Sequence, residues 1–143
     1  MQTDNIDILA RTIYGEARGE YDRLDGGLAC LIAVGNVVMN RLNTPRQYGQ
    51  TIQEVCHKPW QFSCWNTKDP NQGLLMASQI TDPLFTVCLE VATKVAKGAW
   101  PDLTKGCDHY HTTSLNPVPS WANGQKPKLR LSNHLFYQLR KGK

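Results

Sequence analysis

Apolar residues recur at helical spacing along the first part of the chain. Ile6, Leu9, Ala10, Ile13 and Ala17 fall on one face of a 3.6-residue repeat, so residues 4–18 are predicted to form an amphipathic helix. Thr3 or Asp4 can cap it, Asp7 suits the positive end of its dipole, and Gly19 offers a stop. Gly26-Gly27 leads into a second segment, 28–42, which Leu28, Leu31, Ile32, Val34, Val38 and Met39 nearly encircle. A helix apolar on almost all sides is buried, so this one is expected at the centre. Residues 51–56 read as one short helical turn, and Gln61-Phe62-Ser63-Cys64-Trp65 has the composition of a short strand. Asp82-Pro83 pairs a cap with proline at the first helical position, and Leu84, Val87, Cys88, Val91 and Val95 then mark one face as far as Gly98. From Ala99 to Lys128 prolines and glycines break the pattern. A stretch of that length inside a compact domain is functional or disordered, and Trp100, Tyr110 and Trp121 argue against disorder. Apolar character returns over 129–139 as a strand or short helix. The expected class is mainly α (α+β), with a small β or irregular part.

Composition narrows the possibilities without selecting one. A chain of 143 residues leaves room for one domain, 1–143. Its 41% hydrophobic and 20% charged residues are those of a globular protein. The net charge of +4 is too small for a polybasic nucleic-acid binder, though it suits a polyanionic partner. The longest apolar stretch, 28–39, is interrupted by Gly35 and Asn36 and falls short of the roughly 20 residues that span a bilayer. No stable membrane insertion is expected. The opening MQTDNIDILA carries two aspartates and no basic residue, unlike a secretory leader, so the chain is expected to be made in the cytoplasm. Five cysteines without a C-x-x-C pair give neither a disulfide framework nor a structural zinc motif. They are expected as reduced, buried thiols.

The densest cluster of chemically useful residues is Tyr14-Gly15-Glu16-Ala17-Arg18-Gly19-Glu20. Glu16 lies near the end of the first helix, beside its apolar stripe. A carboxyl held against apolar walls has its charged form disfavoured and can donate a proton near neutral pH, as glycosidic-bond cleavage requires. The plainer alternative is a solvated glutamate paired with Arg18 or a lysine. Glu20, four residues on, would project from the same side of a continuous helix. It is therefore a poor second carboxylate, and Arg18 or a backbone group is its expected partner. Cys107-Asp108-His109-Tyr110-His111 with His134 is a second possible centre. Zinc held there would suggest metal-assisted hydrolysis, as in an amidase or peptidase. Alternation along a strand is enough to put His109 and His111 on one face, however, and no H-E-x-x-H is present. No metal or other cofactor is expected.

Six blocks in order resemble the SleB/CwlJ cell-wall hydrolase family. They are Leu9 to Glu20 (LARTIYGEARGE), Ala33 to Arg41 (AVGNVVMNR), Gln61-Phe62-Ser63, the helix ending Ala96-Lys97-Gly98, Asp108 to His111 with Pro119-Ser120-Trp121, and Ser132 to Tyr137 (SNHLFY). The chain departs from the family at Ser132, where glycine is usual, and at Cys107, where a small residue is common. The resemblance implies a lysozyme-like fold and cleavage of the β-1,4 bond between N-acetylmuramic acid and N-acetylglucosamine, as a lytic transglycosylase or muramidase. It places the catalytic acid on Glu16. Substrate contacts are then expected from Glu20, Gln61, Ser63, Tyr110, His111 and Trp121. Gln61 and Ser63 offer amide and hydroxyl groups, and Tyr110 and Trp121 offer flat faces; as plain structure these would be turn residues and loop anchors. The expected partner is peptidoglycan glycan strands, with no nucleic acid, and the chain is expected to be a monomer. A small basic muralytic domain without a leader is what a bacteriophage endolysin would look like, reaching the wall once a holin opens the membrane. The alternatives are a metal-dependent amidase or peptidase and a non-catalytic wall-binding module.

Overall fold

A computed structural model describes residues 2–23, 26–44, 47–58, 62–66, 69, 72–77 and 79–139. Helix α1 runs Gln2–Ala17 and passes directly into a 3-10 turn, Arg18–Glu20. Thr3 and Asp4 thus lie inside α1, and their side chains are outside the description. Helix α2 spans Gly27–Leu42, α3 Ile52–His57, α4 Gln72–Leu75 and α5 Leu84–Ala96. Strands β1 (His109–Thr112), β2 (Leu129–Leu131) and β3 (His134–Tyr137) form an antiparallel sheet in the order β1-β3-β2. The fold is mainly helical with a small three-stranded sheet.

The long helices form because each has an apolar face to bury. Leu9, Ala10, Ile13, Tyr14 and Ala17 of α1 meet Phe85, Cys88, Val91 and Ala92 of α5 and the buried stripe of α2 in one core. Complete burial of a side chain such as Leu9 or Ile13 contributes about 1.5–3 kcal/mol. α2 is the most enclosed element: Cys30, Leu31, Ala33, Val34, Val37 and Val38 are fully buried, whereas Leu28 is exposed at its first turn. α5 starts as its sequence suggests, with Asp82 Oδ1 accepting from Leu84 N at 2.9 Å. Thr51 caps α3 by accepting from Glu54 N at 3.0 Å.

Three expectations need correction. Of the expected strand 61–65, residues 62–65 are described and do not form one: Ser63–Trp65 is a 3-10 turn, fastened to α1 by Trp65 Nε1 donating to Thr12 Oγ1 at 2.8 Å. The irregular stretch 99–128 contains β1 and a 3-10 turn at Ser120–Ala122. The stretch 129–139 is not one element: β2 and β3 form a hairpin over 129–137, turning at Ser132-Asn133.

Polar groups of buried α2 hold the segment that enters β1. Asn36 Oδ1 accepts from Leu103 N at 3.0 Å. Asn40 Nδ2 donates to Asp102 and to the Cys107 carbonyl, both at 2.9 Å. Arg41 Nε donates to the Asp108 carbonyl at 2.7 Å. These bonds fix where β1 begins, and hence where Tyr110 points.

Candidate active site

Glu16 is the penultimate residue of α1 and is partly exposed. Two other elements reach its carboxylate. Tyr110, from β1, donates its hydroxyl to Oε1 in a short hydrogen bond. The backbone N–H of Cys64, in the 3-10 turn after α3, donates to Oε2 at 3.1 Å. Gly15 makes the second contact possible, because a Cβ there would stand 2.8 Å from Cβ and Sγ of Cys64 and from Cδ1 of Leu75. Glycine lets the turn approach α1 closely enough for its N–H to meet Glu16.

The surroundings are apolar with one embedded cation. The Tyr110 ring lies 6.4 Å from Phe62 and 5.5 Å from Phe136. Burial, followed by the Glu16 charge and their hydrogen bond, pushes the Tyr110 phenol well above its ordinary pKa; it therefore stays protonated and acts as a donor. Arg41 is 4% exposed, with its guanidinium 4.9 Å from the Phe62 ring centre and 5.1 Å from that of Tyr48. Burial lowers its pKa, against the pull of Tyr110, Tyr48, Asp108 and Glu16.

The sheet separates residues that the sequence places side by side. Tyr110 pairs with Phe136 and Thr112 with His134, so Tyr110, Phe136 and His134 share the face turned toward Glu16. His109 and His111 occupy the other face, where Trp121 lies 4.8 Å from the His109 ring and 5.7 Å from that of His111. Tyr110 and Trp121 therefore do not form one platform. His111 is buried, with Nδ1 at 2.8 Å from the Thr112 carbonyl and Nε2 at 2.9 Å from the Tyr137 hydroxyl. His109 and His111 thus stand on the face opposite His134, and among the described residues no cluster of three His, Cys, Asp or Glu side chains could hold a metal ion.

Glu20 turns away from Glu16. Its Oε1 accepts the Ser132 hydroxyl, in a short bond, and Asn133 N at 3.1 Å. Ser132 has a φ of 55°, a left-handed conformation that favours glycine. The serine offsets its poorer fit there with the bond to Glu20. Arg18 lies over the Tyr14 ring instead, at 4.9 Å. Gln61 lies outside the described residues, and Ser63 is placed only by its backbone, in the 3-10 turn.

Two surface depressions lie near this centre without including Glu16 in their walls. One, of about 980 Å³, is lined by Gln47, Tyr48, Gln50, Gln53 and His57, among others. The other, of about 560 Å³, is lined by Arg18, Tyr21, Asp22, Asp82 and Pro83, among others. Tyr48 joins the larger one to the centre through packing, since Arg41 rests on both Tyr48 and Phe62.

Two contributors had little or no signal in the sequence. The Cys64 contribution is a backbone N–H, which no residue identity reveals. Tyr14, in the same motif as Glu16, donates its hydroxyl to Asp82 at 2.7 Å and so ties α1 to the start of α5.

The sequence profile of a family described as Cell Wall Hydrolase matches residues 27–137. No curated sequence matches the chain. Among solved structures, the catalytic domain of the Bacillus cereus SleB protein is similar, with a TM-score of 0.73 at 20% identity, covering 95% of this chain and 91% of that one. The catalytic domain of the germination-specific lytic transglycosylase SleB from Bacillus anthracis is similar too. Its TM-score is 0.71 at 19% identity, covering 94% of each chain.

Proposed function

From the premise that this chain belongs to the cell wall hydrolase family, we propose that it is a lytic transglycosylase. It cleaves the β-1,4 bond between N-acetylmuramic acid and N-acetylglucosamine, with Glu16 as the acid and then the base. The observation that carries this reading is the carboxyl at the end of α1, held by donors from two other elements, Tyr110 and the Cys64 N–H. Proton-transfer catalysis needs a fixed carboxyl with an orientation it does not choose for itself.

The steps follow from a single carboxyl group. Glu16 gives its proton to the glycosidic oxygen, and the bond from that oxygen to C1 of the muramic acid breaks. Glu20 is committed to the Ser132-Asn133 turn, so the charge developing at C1 is met by the substrate's own 2-acetamido oxygen. Glu16, now a carboxylate, takes the proton of the C6 hydroxyl as that oxygen attacks C1 and leaves a 1,6-anhydro end. Trp121, partly exposed beside His109, offers a flat face to a sugar ring.

Mass spectrometry of digested peptidoglycan tests the scheme. Anhydro-muramic ends are expected; reducing ends would make the enzyme a muramidase, and free stem peptides or no product would overturn glycan cleavage. Glu16→Gln is expected to lower turnover at least about 100-fold, the usual scale for a lost general acid, with an unchanged circular dichroism spectrum. Host lysis by a phage is the biological role we attach to this activity. Cells expressing the chain should then lyse when a holin is co-expressed and stay intact without it.

A further inference from the structure

His134 opens β3 on the sheet face that carries Tyr110 and Phe136, and it is 2% exposed. Its ring donates a hydrogen bond to the backbone carbonyl of Glu16. Nδ1 is buried without a partner, so Nε2 makes that bond. The last carbonyls of an α-helix have no acceptor role within the helix. α1 ends at Ala17, where the backbone tightens into the 3-10 turn, and the Glu16 carbonyl belongs to that unsatisfied set. The imidazole supplies its donor.

The same ring supports the other end of Glu16. Its centre is 5.3 Å from that of Tyr110, with an interplanar angle of 38°, and the Tyr110 hydroxyl holds Oε1 of Glu16. On its other flank the imidazole stacks with Phe136, at 6.1 Å and 25°. A phenylalanine could fill this space without burying an unmet nitrogen. Leaving an acceptor such as Nδ1 buried and unpaired is unfavourable, so packing alone does not account for histidine here. The N–H donor does. Burial lowers the pKa of the ring, with Glu20, Glu16 and the bond to the Glu16 carbonyl pulling upward and His111 downward. The ring is thus neutral near pH 7, with its proton on Nε2.

We propose that His134 is the positioning residue of the Glu16 centre: it fixes the backbone of the acid through Nε2–H and the plane of Tyr110 through stacking. The inference rests on the reading of Glu16 as the proton donor. It concerns geometry, since His134 is placed to act through Glu16 and Tyr110 and not on the sugar.

The test compares His134→Phe and His134→Gln in the full chain. Phenylalanine keeps a ring against Tyr110 and Phe136 but removes the donor; glutamine returns an N–H near the Nε2 position. For His134→Phe, kcat on peptidoglycan is expected to fall about 10–100-fold with KM little changed, the scale of a misplaced catalytic group. His134→Gln is expected to recover most of that loss. Nitrogen-15 spectra of the wild type should show a neutral ring protonated at Nε2 and bare at Nδ1. The carbon-13 signal of the Glu16 carbonyl should move in the phenylalanine variant and return in the glutamine one. Wild-type kcat in His134→Phe, an unmoved Glu16 carbonyl signal, or a ring protonated at Nδ1 would each overturn the proposal. So would equal losses in both variants with matching drops in thermal stability. The spectra report on geometry whatever the reaction, so they separate this inference from its premise: full activity of Glu16→Gln would overturn the premise alone.

Discussion

Gly15 shows how one residue sets the geometry of the centre. Its missing side chain is what brings the Cys64 turn against α1, and a methyl group there would stand 2.8 Å from three heavy atoms. Two of those atoms are Cβ and Sγ of buried Cys64, close to a backbone that cannot swing aside as a flexible chain end would. Gly15→Ala is therefore expected to cost about 1–3 kcal/mol, as overpacking a filled core does. It should also lengthen the bond from Cys64 N to Glu16. A chemical-denaturation curve measures the first effect and turnover on peptidoglycan the second. Retention of both at wild-type level would show that the turn is looser than its contacts imply.

Among the elements, those with a sustained apolar pattern of their own were legible from sequence, and those made by distant contacts were not. The spans of α1, α2 and α5 follow from the period of their apolar residues, and the start of α5 also from the bond between Asp82 and Leu84 N; the expected caps of α1, Thr3 and Asp4, lie inside the helix. The composition of Gln61 to Trp65 imitates a strand, but the backbone of Ser63–Trp65 follows its anchors on Thr12 and Glu16 and closes into a 3-10 turn. β1 is four residues long and pairs with β3, so the segment around it carries no periodicity of its own. At the site, Glu16 was legible as a candidate from its place beside the stripe of α1. The direction of Tyr110, the commitment of Glu20 to a turn and the role of His134 depend on strand register. The loop before β1 also gives a prediction of its own. Burial alone would push the Asp102 carboxyl up, but hydrogen bonds from Thr104, Asn40 and Gly106 outweigh it and hold its pKa below the ordinary value. A folded-state pKa below the unfolded one contributes stability that is fully present above the unfolded value and is lost as pH falls through the folded value. Asp102→Asn should accordingly melt below the wild type near neutral pH, and the gap should close on acidification below about pH 4, the ordinary aspartate range. A gap that stays constant with pH would mean that ionised Asp102 does not anchor the loop.

At the scale of the whole molecule, the core excludes solvent from every thiol. Cys30, Cys56, Cys64, Cys88 and Cys107 are all free and buried. Burial pushes the thiols of Cys30, Cys56 and Cys88 up to about 12 and that of Cys107 to about 11. The thiolate is the reactive form, so a thiol-specific reagent should find almost nothing to modify in the folded protein. It should titrate all five cysteines after denaturation. Fast labelling under native conditions would reveal an opening of the core that the folded structure does not contain.

The donors to Glu16 come from 48 and 94 positions further along the chain. During synthesis the carboxyl thus leaves the ribosome long before the strand that will hold it. An unfinished or prematurely terminated polypeptide carries Glu16 without its holder, so under the role proposed for Glu16 the ability to cut arrives only with completion of the sheet. A cell producing this protein is spared half-made, half-active scissors.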